Sequence, residues 1–115
     1  MNVEDDFKKK YDGKLKEFGF EYALTEDQGD EIAFHYEAKD YEDPEKWLVL
    51  LFRIDKETGK IDEMYSFHNV KREDFVKSNY IPSLNDLFDV LKASYEKGKG
   101  LSVKNFILMV RKWQK

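Results

Sequence analysis

The hydrophobic positions change period along the chain, from helical to alternating and back to helical. Val3, Phe7, Tyr11, Leu15 and Phe18 recur every four or three residues, the stripe of one amphipathic helix. Asn2 is placed to cap that helix. Asp5 follows three residues on, and the other first-turn acids lie where the helix dipole favours them. Gly19 comes directly after Phe18 and tolerates the left-handed conformation in which helices end. Gly13 lies inside the helix and weakens it by about 1 kcal/mol relative to Ala.

The period then drops to two. Phe20, Tyr22 and Leu24 alternate with Glu21, Ala23 and Thr25, and Ile32, Phe34, Tyr36 and Ala38 alternate with Ala33, His35 and Glu37. Turn residues from Glu26 to Asp30 separate the two runs, which predicts a hairpin with one buried face. Trp47 to Ile54 is nearly all apolar, the pattern of a central strand. A tight turn over Glu57–Lys60 leads to a fourth strand holding Ile61, Tyr65 and Phe67. Short connections favour sequential antiparallel pairing, hence a meander.

Helical spacing returns in the last third. Residues 72–78 suit a short helix ending at Asn79. Ser83 caps the next helix with Asp86 at its third position; Leu84, Leu87, Phe88, Leu91 and Tyr95 form its apolar face, and Gly98 stops it. Ser102 caps a final helix, with Leu101 and Phe106 spaced as a hydrophobic staple and Val103, Phe106, Val110 and Trp113 on one face. The run Phe106 to Val110 also fits a strand, since periodicity alone does not assign a short apolar run; the helix is the reading adopted. The predicted fold is α+β in a single globular domain over 1–115. It has an N-terminal helix, a four-stranded antiparallel meander, and two to three C-terminal helices packed on one sheet face.

Charge adds a pattern that packing does not require. Residues 21–45 carry ten acids and one base, a net of −9, while residues 92–115 carry seven bases and one acid, a net of +6. The whole chain sums to −4. Sign asymmetry of this kind bears on partners rather than on fold. The pI of about 5.3 argues against direct nucleic-acid binding, for which a domain value above ~9 is the usual footprint. The C-terminal bases read as the wet side of amphipathic helices.

The chain lacks cysteine, so disulfides, thiolate zinc sites and a cysteine nucleophile are excluded. The acidic first residues show no apolar leader segment, and no apolar run is long enough to span a bilayer. The expectation is a cytoplasmic protein without membrane attachment. No Gly-x-Ser-x-Gly elbow occurs, and the basic Lys97–Gly100 stretch lacks phosphate-loop spacing and reads as a helix stop. The acidic run from Glu26 to Glu31 fails the register of a calcium loop. No metal or cofactor is expected.

Two function classes follow. The first is a small non-catalytic interaction module that docks an acidic surface on a basic partner protein, for instance a nucleic-acid-binding cleft. The surface would comprise Glu26, Asp27, Asp30 and Glu31 in the hairpin turn, and Tyr41, Glu42, Asp43 and Glu45 in the following loop, with charge steering encounter and aromatics anchoring it. Size, acidity and compact α+β build are similar to those of toxin-immunity proteins and phage-encoded inhibitors as a class. The second class is a small-molecule-binding or enzymatic domain. Its site would lie between the sheet and the C-terminal helices, lined by His35, Arg53, Tyr65 and His68. In the predicted strands both histidines point away from the core, where they could approach each other. Self-association of the acidic segment with the basic one is a third arrangement.

Overall fold

The computed structural model describes residues 3–68 and 78–113. The proposed Asn2 cap lies outside them. The first helix runs as α1 (Val3–Phe7), a π-helical turn (Lys8–Asp12) and α2 (Gly13–Glu17). Strict four-residue spacing from Val3 to Leu15 would drift about 40° per step around a 3.6-residue helix. The wider i→i+5 turn takes up more residues per revolution and holds Phe7 and Leu15 on the buried face. Inside that turn Asp12 accepts a 2.9 Å hydrogen bond from the buried Tyr36 hydroxyl. The helix ends as the sequence predicts. Gly19 takes φ +87°, its amide donates to Lys16, and the Phe20 amide donates to Leu15, a Schellman closure.

Strands β1 (Glu21–Asp27), β2 (Glu31–Lys39), β3 (Trp47–Asp55), β4 (Ile61–His68) and β5 (Ser78–Tyr80) form one antiparallel sheet in sequence order. The four-stranded meander is present, and β5 extends it by one short edge strand. The helix expected over 72–78 lies outside the described residues except at Ser78, which begins β5. Leu48, Leu50, Phe52 and Ile54 of the middle strand point to the helices with Phe34, Tyr36 and Ala38, and all seven are buried.

The helices cover one face. Helix α3 (Leu84–Ser94) begins as predicted, with the Ser83 hydroxyl oxygen accepting the Asp86 amide. It stops at Ser94 rather than near Gly98, because residues 95–101 fold into a two-stranded hairpin, β6 (Tyr95–Glu96) with β7 (Gly100–Leu101). The final apolar run is helix α4 (Val103–Val110), capped by Ser102 and followed by a 3-10 turn (Arg111–Trp113). Leu101, Val103, Phe106 and Val110 join the core.

The expected buried face of β1 is corrected. Phe20 is fully buried, but Tyr22 and Leu24 are 38% and 44% exposed. A β-bulge at Ala23 changes the register, so Tyr22 faces Tyr36 while Leu24 faces His35. The extra residue turns Leu24 to the outer sheet face and brings Thr25 to the helix face, where its hydroxyl meets Tyr22 and Glu4.

Candidate functional site

Consecutive connections of a meander lie at alternate ends of the sheet, and this divides the predicted acidic surface. Glu26, Asp27, Asp30 and Glu31 surround the β1–β2 turn. Tyr41, Glu42, Asp43 and Glu45 lie in the β2–β3 loop at the other end of the nine-residue β2, about 26 Å away at ~3.3 Å per residue.

The β2–β3 loop is occupied by its own fold. Asp40 Oδ1 accepts the amides of Glu42 (2.8 Å) and Asp43 (2.9 Å), and Oδ2 accepts the amide of Val103 (2.8 Å) at the start of α4. Burial works against the Asp40 carboxylate, but these three donors outweigh it and hold its pKa below the ordinary 3.8. Asp43 in turn accepts the Glu45 amide at 3.0 Å, and the Tyr41 amide donates to Leu101. With Asp40 seated on it, the α4 N-terminus beyond the Lys97–Gly100 stretch is already charge-complemented.

The hairpin end is different. There the β1–β2 turn meets the β3–β4 turn, since Glu31 pairs with Asp55 and the Lys56 amide donates to Asp30. The fold thereby gathers Glu26, Asp27, Asp30 and Glu31 with Asp55, Glu57, Asp62 and Glu63. The bases at this end are Arg53, Lys56 and Lys60. The second group of acids leaves no mark on the charge profile of the chain, because those bases are interleaved with them and cancel the local sum.

Some of these acids are engaged. Asp27 binds Lys56 Nζ at 2.7 Å and the Gly29 amide at 3.0 Å, which lowers its pKa. Asp55 Oδ1 accepts the amides of Glu57 and Thr58. Glu63 accepts from Arg53 Nη1 at 3.0 Å and from the Tyr65 hydroxyl at 2.8 Å. Others are opposed. Glu31 lies against the Asp62 carboxyl, which raises its pKa; partial burial and the charges of Asp62 and Glu63 push the same way, and Arg53 opposes them. Glu31 Oε2 is buried with no hydrogen-bond partner among the described residues. At the far end of β1, Glu21 sits directly across from Glu37, a like-charged pair that costs ~0.2–1 kcal/mol.

The pocket expected between sheet and helices is not formed by the residues proposed for it. That space is filled by Phe34, Tyr36, Leu50, Phe52 and Phe106, each no more than 1% exposed. Register places His35, Arg53 and Tyr65 on the outer face, with His35 opposite Leu51 and Leu51 opposite Tyr65. His68 pairs with Leu48 and so points to the helix side rather than away from the core as predicted, and its neighbour Phe67 takes the outer face. The two histidines are therefore on opposite faces and cannot share a site. Burial pushes the His35 pKa down, against the pull of Glu26 Oε2 at 3.8 Å from Nε2.

Among the described residues, no group of three or more metal-ligating side chains is placed to hold an ion, and no helix is long and apolar enough to cross a membrane. Comparison with protein-family models, curated proteins and solved structures found no match.

Proposed function

We propose that the protein is a small, non-catalytic interaction module of the cytoplasm, an inhibitor- or immunity-type protein that docks its acidic hairpin end on a basic surface of another protein. One observation carries the reading. Carboxylates from two separate turns converge at this end, and Glu31 is set against Asp62. Like charges held together raise the free energy of the unbound protein. Lysines or arginines from a partner relieve that repulsion and gain encounter rate from the local field.

The test is affinity capture from the cells that make the protein, run in parallel with the Glu26→Gln/Asp30→Asn/Glu31→Gln variant. These positions avoid Asp27, whose carboxylate holds the turn. A basic protein captured by the wild type, released by salt and lost with the folded variant supports the reading. An acidic partner, or one captured equally by both chains, overturns it.

A further inference from the structure

Helix α4 carries an open groove of about 230 Å³, with Val103, Ile107 and Leu108 as its floor and Lys46, Lys104 and Arg111 as its rim. Lys46 belongs to the β2–β3 loop, so the groove lies away from the acidic hairpin end. Bases on a helix surface ordinarily face water alone. Here they enclose apolar surface, and Leu108 is 51% exposed. Every polar residue of the lining is a cation, in a chain that sums to −4. Lys46 also acts on Asp40 of its own loop, but Lys104 and Arg111 have no ion-pair partner among the described residues. The spacing is helical throughout, since Arg111 keeps φ −56° and ψ −30° at the end of α4. Lys104 and Arg111 therefore stand two turns apart, about 10.5 Å along the axis, with Ile107 and Leu108 between them on the same stripe.

Size and charge together select the occupant. Small-molecule pockets run to ~300–1,000 Å³ and enclose most of the ligand, whereas this groove is smaller and open, with room for side chains projecting from another backbone. A cation, two apolar residues and a second cation along two turns are complemented by an acid, two apolar residues and an acid at the same spacing. We propose that the α4 groove binds a short acidic amphipathic helix of another protein. Its two carboxylates face Lys104 and Arg111, and the aliphatic side chains between them pack on Ile107 and Leu108. A second copy of the chain does not offer that stripe. Among the described residues, Asp5 and Asp12 are the one pair of acids seven apart within the helices, and Lys8 and Lys9 occupy the positions between them. The groove takes a segment, whose parent protein can carry either net charge. The contact is independent of the hairpin end, so either reading can fail alone.

The probe is a fluorescent, alanine-based helical peptide with glutamates at i and i+7 and leucines at i+3 and i+4, titrated with the full chain by anisotropy. The wild type should bind it, about tenfold more weakly at about 1 M salt, where the screening length is ~3 Å. Exchanging the peptide's leucines for serine, or its glutamates for lysine, should each weaken binding about tenfold; neither change touches the protein, so neither acts through its folding. Lys104→Glu/Arg111→Glu should lose the glutamate peptide and gain the lysine peptide, while circular dichroism reports an unchanged fold. Leu108→Ser, at an exposed position, should weaken binding about tenfold. The Glu26→Gln/Asp30→Asn/Glu31→Gln variant should bind the peptide within about twofold of the wild type. A wild type that binds the peptide no better than its serine version overturns the proposal, as does a folded Lys104→Glu/Arg111→Glu chain that keeps full affinity for the glutamate peptide. Phosphatidylserine vesicles held through Lys104 and Arg111 by a chain that ignores the peptide would assign the face to a membrane and overturn it equally.

Discussion

Replacing Asp40 with alanine tests the contact that ties the β2–β3 loop to the last helix. The side chain accepts three backbone amides, from Glu42, Asp43 and Val103, at 2.8–2.9 Å. The Val103 bond has the character of a helix cap, and losing one costs ~0.5–2 kcal/mol. A carboxylate at a helix N-terminus adds ~0.3–1 kcal/mol through the dipole. The two amides of the turn share the remaining oxygen and contribute about 1 kcal/mol net. The expected loss for Asp40→Ala is thus about 2–4 kcal/mol. An unfolding entropy of ~2.1 cal/mol/K per residue gives a Tm drop of roughly 8–16 °C for this chain.

Asp40→Asn keeps an acceptor for the turn but turns an amide donor toward the Val103 N–H, so about half the loss is expected. The pH dependence provides the sign. The folded pKa is depressed, so the contribution is complete above the ordinary 3.8 and disappears as pH falls through the lower folded value. Thermal unfolding of wild type and both variants, at pH 7 and at about pH 2, measures all of this. A loss below ~0.5 kcal/mol at pH 7 would refute the reasoning. So would a difference that survives unchanged in acid.

Three further outcomes follow from packing and charge. Tyr36→Phe removes the donor to Asp12 from a fully buried site and should cost about 1–2 kcal/mol by denaturant titration; an unchanged midpoint would show that the π turn does not need it. Gly100→Ala should destabilise markedly, since φ is +130° and the new Cβ would lie 3.0 Å from Tyr41 Cβ. Gly13→Ala, in a helical site with nothing within 4 Å, should stabilise by ~0.4–1 kcal/mol, and calorimetry on the pair checks both signs. Glu31→Gln should raise Tm at pH 7. Its folded pKa lies above the ordinary 4.5, so the wild type loses stability as pH rises through that value; melting curves should therefore converge below about pH 4.5, and an advantage kept in acid would contradict the Asp62 contact.

Elements whose signals are local were legible in the amino-acid order. The Phe18–Gly19 helix end, the caps at Ser83 and Ser102, the alternation of β2 and the apolar run of β3 all depend on backbone chemistry within a few residues. The α+β architecture follows from their order. What escaped depended on one inserted residue or on distant neighbours. A bulge at Ala23 sent Leu24 to the outer face, and the β6–β7 hairpin shortened α3, neither of which a propensity marks.

The candidate site divided along the same line. Acidity between residues 21 and 45 was visible as charge, and its β1–β2 half includes Glu31, which Asp62 of β4 opposes. Which acids meet depends on the folded arrangement of the strands. Antiparallel connections alternate ends, so that arrangement separated the two acidic loops, gave Asp40 to α4, and brought Asp55, Glu57, Asp62 and Glu63 beside Glu31. Charge is a property of the chain, but the field it makes is set by distance, and distance belongs to the fold.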